Sequence, residues 1–201
     1  MDPAKWTDLV VSLSFGTVFV LLIKLFIRRR SLLELYFSLA ALIITIPYLF
    51  DLFQIQTPLN LFQWGKLVSV TIYISGLLVL IRESKPIFAR FPVYLTALPF
   101  VSFLFFPLII DSIVIKDLIN AIYQGGALIV TVLVFALKQA KKRNRRYYII
   151  GITGVATSYL SYWLIFNRST SVDMVWVSEI LLCVGILFAT IRFIHSEEYK
   201  N

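Results

Sequence analysis

Charge is what this sequence has least of. Only 15% of its 201 residues are charged, while 59% are hydrophobic. A soluble domain carries about a quarter charged residues. The chain also has a single cysteine, Cys183, and a single histidine, His195. A lone cysteine excludes an intramolecular disulfide; inside an apolar run it reads as a small buried side chain. One His and one Cys exclude a zinc site, a haem axial pair and a Cys–His dyad of the usual kind. No G-x-x-x-x-G-K-[ST], H-E-x-x-H or G-x-S-x-G pattern occurs. That removes the common phosphate-loop, metalloprotease and serine-hydrolase chemistries. No catalytic residue, metal or cofactor is expected, and the chain reads as a non-enzyme.

Soluble segments are missing too. The connections between apolar runs are too short for a folded domain, there is no low-complexity linker, and the tail "HSEEYKN" is too short for an effector. A sensor of this kind would have to signal through a separate membrane or cytoplasmic protein. The N-terminal "MDPAKWTD" has one Lys against two Asp, and no A-x-A-like site follows the first run. It is not expected to be a cleaved leader.

What the sequence has instead is long apolar runs. A spanning helix needs ~20 mostly apolar residues, because each residue rises ~1.5 Å and the hydrocarbon is ~30 Å thick. Seven runs meet this, at roughly 9–27, 32–50, 61–81, 91–110, 118–137, 147–166 and 174–194. They are continuous rather than alternating, so they are helices and not barrel strands. The expected fold is all-α: a single polytopic domain over 1–201, a seven-transmembrane-helix bundle in the lipid bilayer.

The net charge of +8 does not point to nucleic acid, because of where it falls. With the N-terminus outside, fifteen of the nineteen basic residues lie on the inner side, whereas seven of the eleven acidic ones lie outside. That bias predicts an N-terminus outside and a C-terminus in the cytoplasm, in a plasma (inner) membrane. The densest basic run, "KQAKKRNRR" (Lys138–Arg146), is read as a stop-transfer anchor, with an acidic partner or anionic lipid as the alternative. Asn167-Arg168-Ser169 is a formal glycosylation sequon.

Segments 24–85 and 138–198 run in parallel. Each opens on a basic cluster, crosses and returns, places Trp64 or Trp176 at the start of its returning helix, and closes on Arg82 or Arg192. This points to two three-helix units joined by a fourth helix. That fourth run, "FPVYLTALPFVSFLFFP", carries Pro92, Pro99 and Pro107. Each removes a backbone donor, so Pro99 is expected to kink the helix.

One residue in "LFQWGKLVSVTIYISGLLVLI" stands out. Lys66 is the sixth residue from the outer end of its run, and Glu179 is sixth from the outer end of the last. Both lie ~8 Å in by the helical rise. A charge at that depth costs ~1–3 kcal/mol unless it pairs or snorkels. The two are expected to pair. Other polar and aromatic groups share this outer half: Trp64 and Tyr73, then Asn120, Tyr123 and Gln124, then Tyr159, Tyr162 and Trp163, and finally Trp176. Asn120, Tyr123 and Gln124 share one helix face, as do Tyr159, Tyr162 and Trp163. Together these eleven residues are read as an outward-facing polar and aromatic pocket for a small molecule; an interfacial aromatic belt is the competing account of the Trp and Tyr residues. The expected function is a small-ligand sensor or accessory subunit of a membrane complex. The alternative is a small-solute transporter with the site between repeats.

Overall fold

The computed structural model describes residues 3–55, 60–84, 86–110, 116–137, 145–167 and 175–198. Among these, regular structure is entirely helical. Three long helices come first: α1 (Pro3–Arg29), α2 (Leu32–Leu52) and α3 (Leu61–Ser84). Then come a single turn α4 (Pro86–Ala89), a 3-10 segment (Val93–Phe105) continued by α5 (Phe106–Ile110), and α6 (Lys116–Leu137), α7 (Arg145–Asn167) and α8 (Val175–Glu198). The described parts of α1, α2, α3, α6 and α8 are long and apolar enough to cross a membrane. Helix α7 is as long, but its Thr, Ser, Tyr and Arg residues dilute its apolar content. Residues 138–144 of the basic run, and Arg168 and Ser169 of the sequon, lie outside the described residues.

The turns follow from local chemistry. Helix α1 ends where Arg30 takes a left-handed φ of 58°. Ser31 then caps α2 by accepting from the Leu33 amide at 3.3 Å. At the far end of α2, Gln54 has φ 55°. Its amide donates to the Asp51 carbonyl oxygen at 3.0 Å, and the Ile55 amide donates to that of Phe50 at 2.9 Å. These are the two bonds of a Schellman stop, made here without glycine.

Helix neighbours form a closed ring in the order α1, α2, α3, α6, α7, α8 and back to α1. Its interior is filled by Phe15, Leu33, Ile44, Leu80, Tyr148 and Val155, all nearly inaccessible. The outward faces are also apolar: Leu13 is 63% exposed and Ile27 likewise. In water such faces would be a liability; against lipid tails they are matched.

Two seams are drawn tight by small residues. Between α7 and α8, a Cβ on Gly185 would sit 2.5 Å from the Val155 amide nitrogen, and one on Gly154 would sit 2.8 Å from the Gly185 Cα. Between α2 and α3, a Cβ on Gly65 would meet the Pro47 ring at 2.8 Å. Pro47 leaves a gap in the α2 bonding ladder, and Gly65 lets α3 lie against that ring.

The run at 91–110 departs from the expectation of one kinked α-helix. It folds as thirteen residues of 3-10 helix followed by five of α-helix, standing outside the ring against α3. Pro99 has no amide for an α-type bond, and two hydroxyls favour the tighter turn. Thr96 Oγ1 donates to the Val93 carbonyl oxygen and Ser102 Oγ to that of Pro99, both at 2.7 Å and both three residues back. At three residues per turn, Pro99 lies about a third of a turn around the helix from Pro92. Phe103 and Phe106 turn inward toward Trp64, while Leu104 and Leu108 stay exposed.

Candidate functional site

At the end of the ring that holds the start of α1, four helices each deliver one polar group to the same place. Lys66 Nζ of α3 donates to Asn120 Oδ1 of α6 at 2.6 Å. The same ammonium lies 3.6 Å from Glu179 Oε1 of α8. The Tyr48 hydroxyl of α2 donates to that carboxylate oxygen at 2.9 Å. The Lys66 and Glu179 side chains are 13% and 18% exposed, so the pair is largely withdrawn from solvent. The close seam at Pro47 and Gly65 explains the meeting: the next residues along the two helices are Tyr48 and Lys66.

Tyr123 and Gln124 of α6 line the same small cavity. Gln124 Nε2 donates to Ser178 Oγ at 3.3 Å, and Ser178 in turn donates to the Val175 carbonyl oxygen at 2.7 Å. Two atoms here have no hydrogen-bond partner: the Tyr123 hydroxyl and Gln124 Oε1. The Tyr123 hydroxyl lies near Ser69, which gives its own proton to the Ala40 carbonyl oxygen at 3.0 Å. The cavity holds about 10 Å³, room for roughly one water. Its other walls include Val11, Phe15, Leu182 and the buried free thiol of Cys183. The carboxyls of Asp8 and Asp51 come together near Glu179.

The eleven residues expected to share a pocket divide into two sets. Lys66, Asn120, Tyr123, Gln124 and Glu179 converge. The others lie elsewhere. Trp64 turns away from the ring interior and meets Phe106 edge-on at 6.1 Å. Tyr73 is buried deeper, with its ring 5.8 Å from Phe37. Tyr159 lies over Gly125 and meets Trp163 edge-on at 6.2 Å. Tyr162 is buried in α7 and is not among the residues that line the cavity. Trp163 and Trp176 are about two-fifths exposed, as belt residues are.

Sequence reasoning missed Tyr48, Ser178, Asp8 and Asp51. Tyr48 was legible by depth, since it is the fifth residue from the end of α2, but it was absorbed into an apolar run. A second cavity, of about 60 Å³, also escaped notice. It lies in the same ring interior, lined mainly by apolar groups with Tyr73, Thr131, Tyr148 and Thr190. Near it Arg192, only 7% exposed, lies 5.6 Å from the centre of the Tyr148 ring. Among the described residues no cluster of His, Cys, Asp or Glu is arranged to hold a metal ion.

No protein-family model matches the chain, and neither the curated proteins nor the solved structures give a significant match to it.

Proposed function

We propose that the chain is a seven-span membrane protein, N-terminus outside and C-terminus cytoplasmic, that recognises a small polar solute at the Lys66–Glu179 cluster. It acts as a sensor or accessory subunit for a separate signalling or membrane partner, without catalysis. The carrying observation is the convergence of Tyr48, Lys66, Asn120 and Glu179 from four helices beside the unsatisfied Tyr123 and Gln124 atoms. Groups that cost free energy when buried are gathered where packing alone would favour apolar side chains.

Length supports seven spans. The 3-10 segment and α5 together rise about 33 Å, and the 23 residues of α7 about 34 Å, each close to the hydrocarbon thickness of ~30 Å. Ring order supports a three-plus-one-plus-three plan. Exchanging α1, α2 and α3 for α6, α7 and α8 leaves the set of neighbours in the ring unchanged. Each half has a serine bonded to the facing helix's backbone: Ser69 to Ala40, and Ser158 to Ser178 at 2.7 Å.

The test is purification in mild detergent with mass spectrometry of what remains bound. A polar small molecule, or a partner protein, should accompany the wild-type chain, and the small molecule should be lost in Lys66→Met. Recovery of the folded chain with neither would overturn the proposal. A carrier is the second reading, favoured by the deeper cavity. Tyr123 walls the polar cluster and its neighbour Tyr73 walls that cavity, so two compartments stand in one ring. Uptake into proteoliposomes separates the two readings.

A further inference from the structure

We infer that the solute taken at the Lys66–Glu179 cluster is a compact zwitterion of the α-amino-acid type, with a small apolar side chain. This rests on the reading of that cluster as a ligand site. Charge balance selects the class. The Lys66 and Glu179 groups lie 3.6 Å apart and are mostly buried, and the cavity beside them holds about 10 Å³. A solute larger than one water that reaches both groups must part them. A buried ion pair that loses one partner leaves an uncompensated charge, which is strongly unfavourable. A simple anion satisfies Lys66 and strands Glu179; a simple cation does the reverse; a neutral solute strands both. Only a solute bearing both signs replaces the pair in full.

The unpartnered atoms fit the same class. The Tyr123 hydroxyl and Gln124 Oε1 belong to side chains only 4% exposed, and neither makes a hydrogen bond. Gln124 Oε1 is an acceptor, so it adds to Glu179 as a seat for an ammonium group. The Tyr123 hydroxyl is a donor and, like Lys66, suits a carboxylate. Lys66 is held on the other flank by Asn120, and Glu179 by Tyr48, so both charged groups stay aimed at the gap when they part. The gap exceeds the ~2.7–2.9 Å of a tight charge-assisted bond, so this pair is loosely closed.

Size narrows the class further. In an α-amino acid one carbon separates the ammonium nitrogen from the carboxylate, so the pair need open least. The remaining walls, Val11, Phe15, Ile44 and Leu182, offer an apolar side chain a dry surface.

The experiment is calorimetric titration of the full chain in nanodiscs. Glycine, L-alanine and L-valine are each compared with the two mono-ions of the same skeleton: acetate and methylamine, propionate and ethylamine, 3-methylbutanoate and isobutylamine. At least one zwitterion should bind about tenfold or more tighter than both its mono-ions. Lys66→Met and Glu179→Gln should each weaken it by about tenfold or more. The double variant Lys66→Met/Glu179→Gln keeps a neutral, packable pair and guards against misfolding as an explanation. Undiminished zwitterion binding in that folded variant overturns the assignment. So does a mono-ion that binds as tightly as its zwitterion, or the absence of binding by all three zwitterions. Recovery of some other polar solute from the wild-type cluster would then leave the broader site reading standing.

Discussion

Neutralising Lys66 and Glu179 separately and together tests the centre of the fold. At 3.6 Å and an effective dielectric of about 20, the gross attraction is roughly 4–5 kcal/mol. Desolvation offsets part of it, because both side chains are largely withdrawn from solvent. The net coupling should fall near about 2 kcal/mol, above the ~0–1 kcal/mol of exposed pairs. The two single variants should not cost the same. Lys66→Met leaves Asn120 Oδ1 without its donor and Glu179 with Tyr48 alone. Glu179→Gln keeps an acceptor for Tyr48 and leaves Lys66 on Asn120. Lys66→Met should therefore cost about 3 kcal/mol and Glu179→Gln somewhat less. The double variant should cost less than their sum by the coupling energy. Reversible unfolding in mixed micelles measures all four species. Additivity within about 0.5 kcal/mol would refute the pair as an energetic unit, and with it the argument that one charge makes the other tolerable.

Other expectations follow from the packing and the charge map. Gly185→Ala should destabilise by about 1–3 kcal/mol in the same unfolding assay, because its Cβ would meet the Val155 backbone at 2.5 Å. Gly126→Ala should be neutral or mildly stabilising, since its Cβ would lie 3.5 Å from a Val70 methyl and alanine favours helix. In a Cys183→Ser background, an impermeant thiol reagent applied to intact cells should label Ile55→Cys and spare Arg90→Cys; the reverse pattern would invert the proposed orientation. Trp163→Ala and Trp176→Ala should leave solute affinity within about threefold in the calorimetric titration, because both side chains face outward rather than into the cluster.

Position along each helix axis was legible in the sequence, and rotation about that axis was not. Lys66 and Glu179 could be placed at one level because the helical rise is fixed. Which face of a helix turns inward is a different question. In a soluble bundle the apolar stripe answers it, but lipid is as apolar as the core, so the signal vanishes. Helix α3 shows no one-sided apolar stripe, because its polar residues are spread around its circumference. Trp64 and Lys66 are two residues apart on it, yet one meets the peripheral Phe106 and the other the central cluster. Polar groups kept their information, since lipid is costly for them: Asn120, Gln124 and Glu179 all turned inward. Aromatic groups lost theirs, because Tyr and Trp suit the interface as well as a pocket. The 3-10 segment was hidden for a related reason. Pro99 reads as a kink, and nothing in the local pattern shows that Thr96 and Ser102 draw the chain into the tighter helix instead.

The placement of the cluster also constrains how it can work. Tyr48 and Lys66 belong to the first three long helices, Asn120 and Glu179 to the last three. The hydrogen bonds and the ion pair therefore cross between the two halves of the ring at its N-terminal end. Within each half, the seams at Gly65 and at Gly154–Gly185 bring backbones too close for easy sliding. Motion that widens the 10 Å³ cavity then belongs at the other contacts around the ring, among them α3 with α6 and α1 with α8. A solute that replaces the Lys66–Glu179 contact would be felt at those junctions, and a cross-link spanning α3 and α6 near Lys66 should block it without unfolding either half.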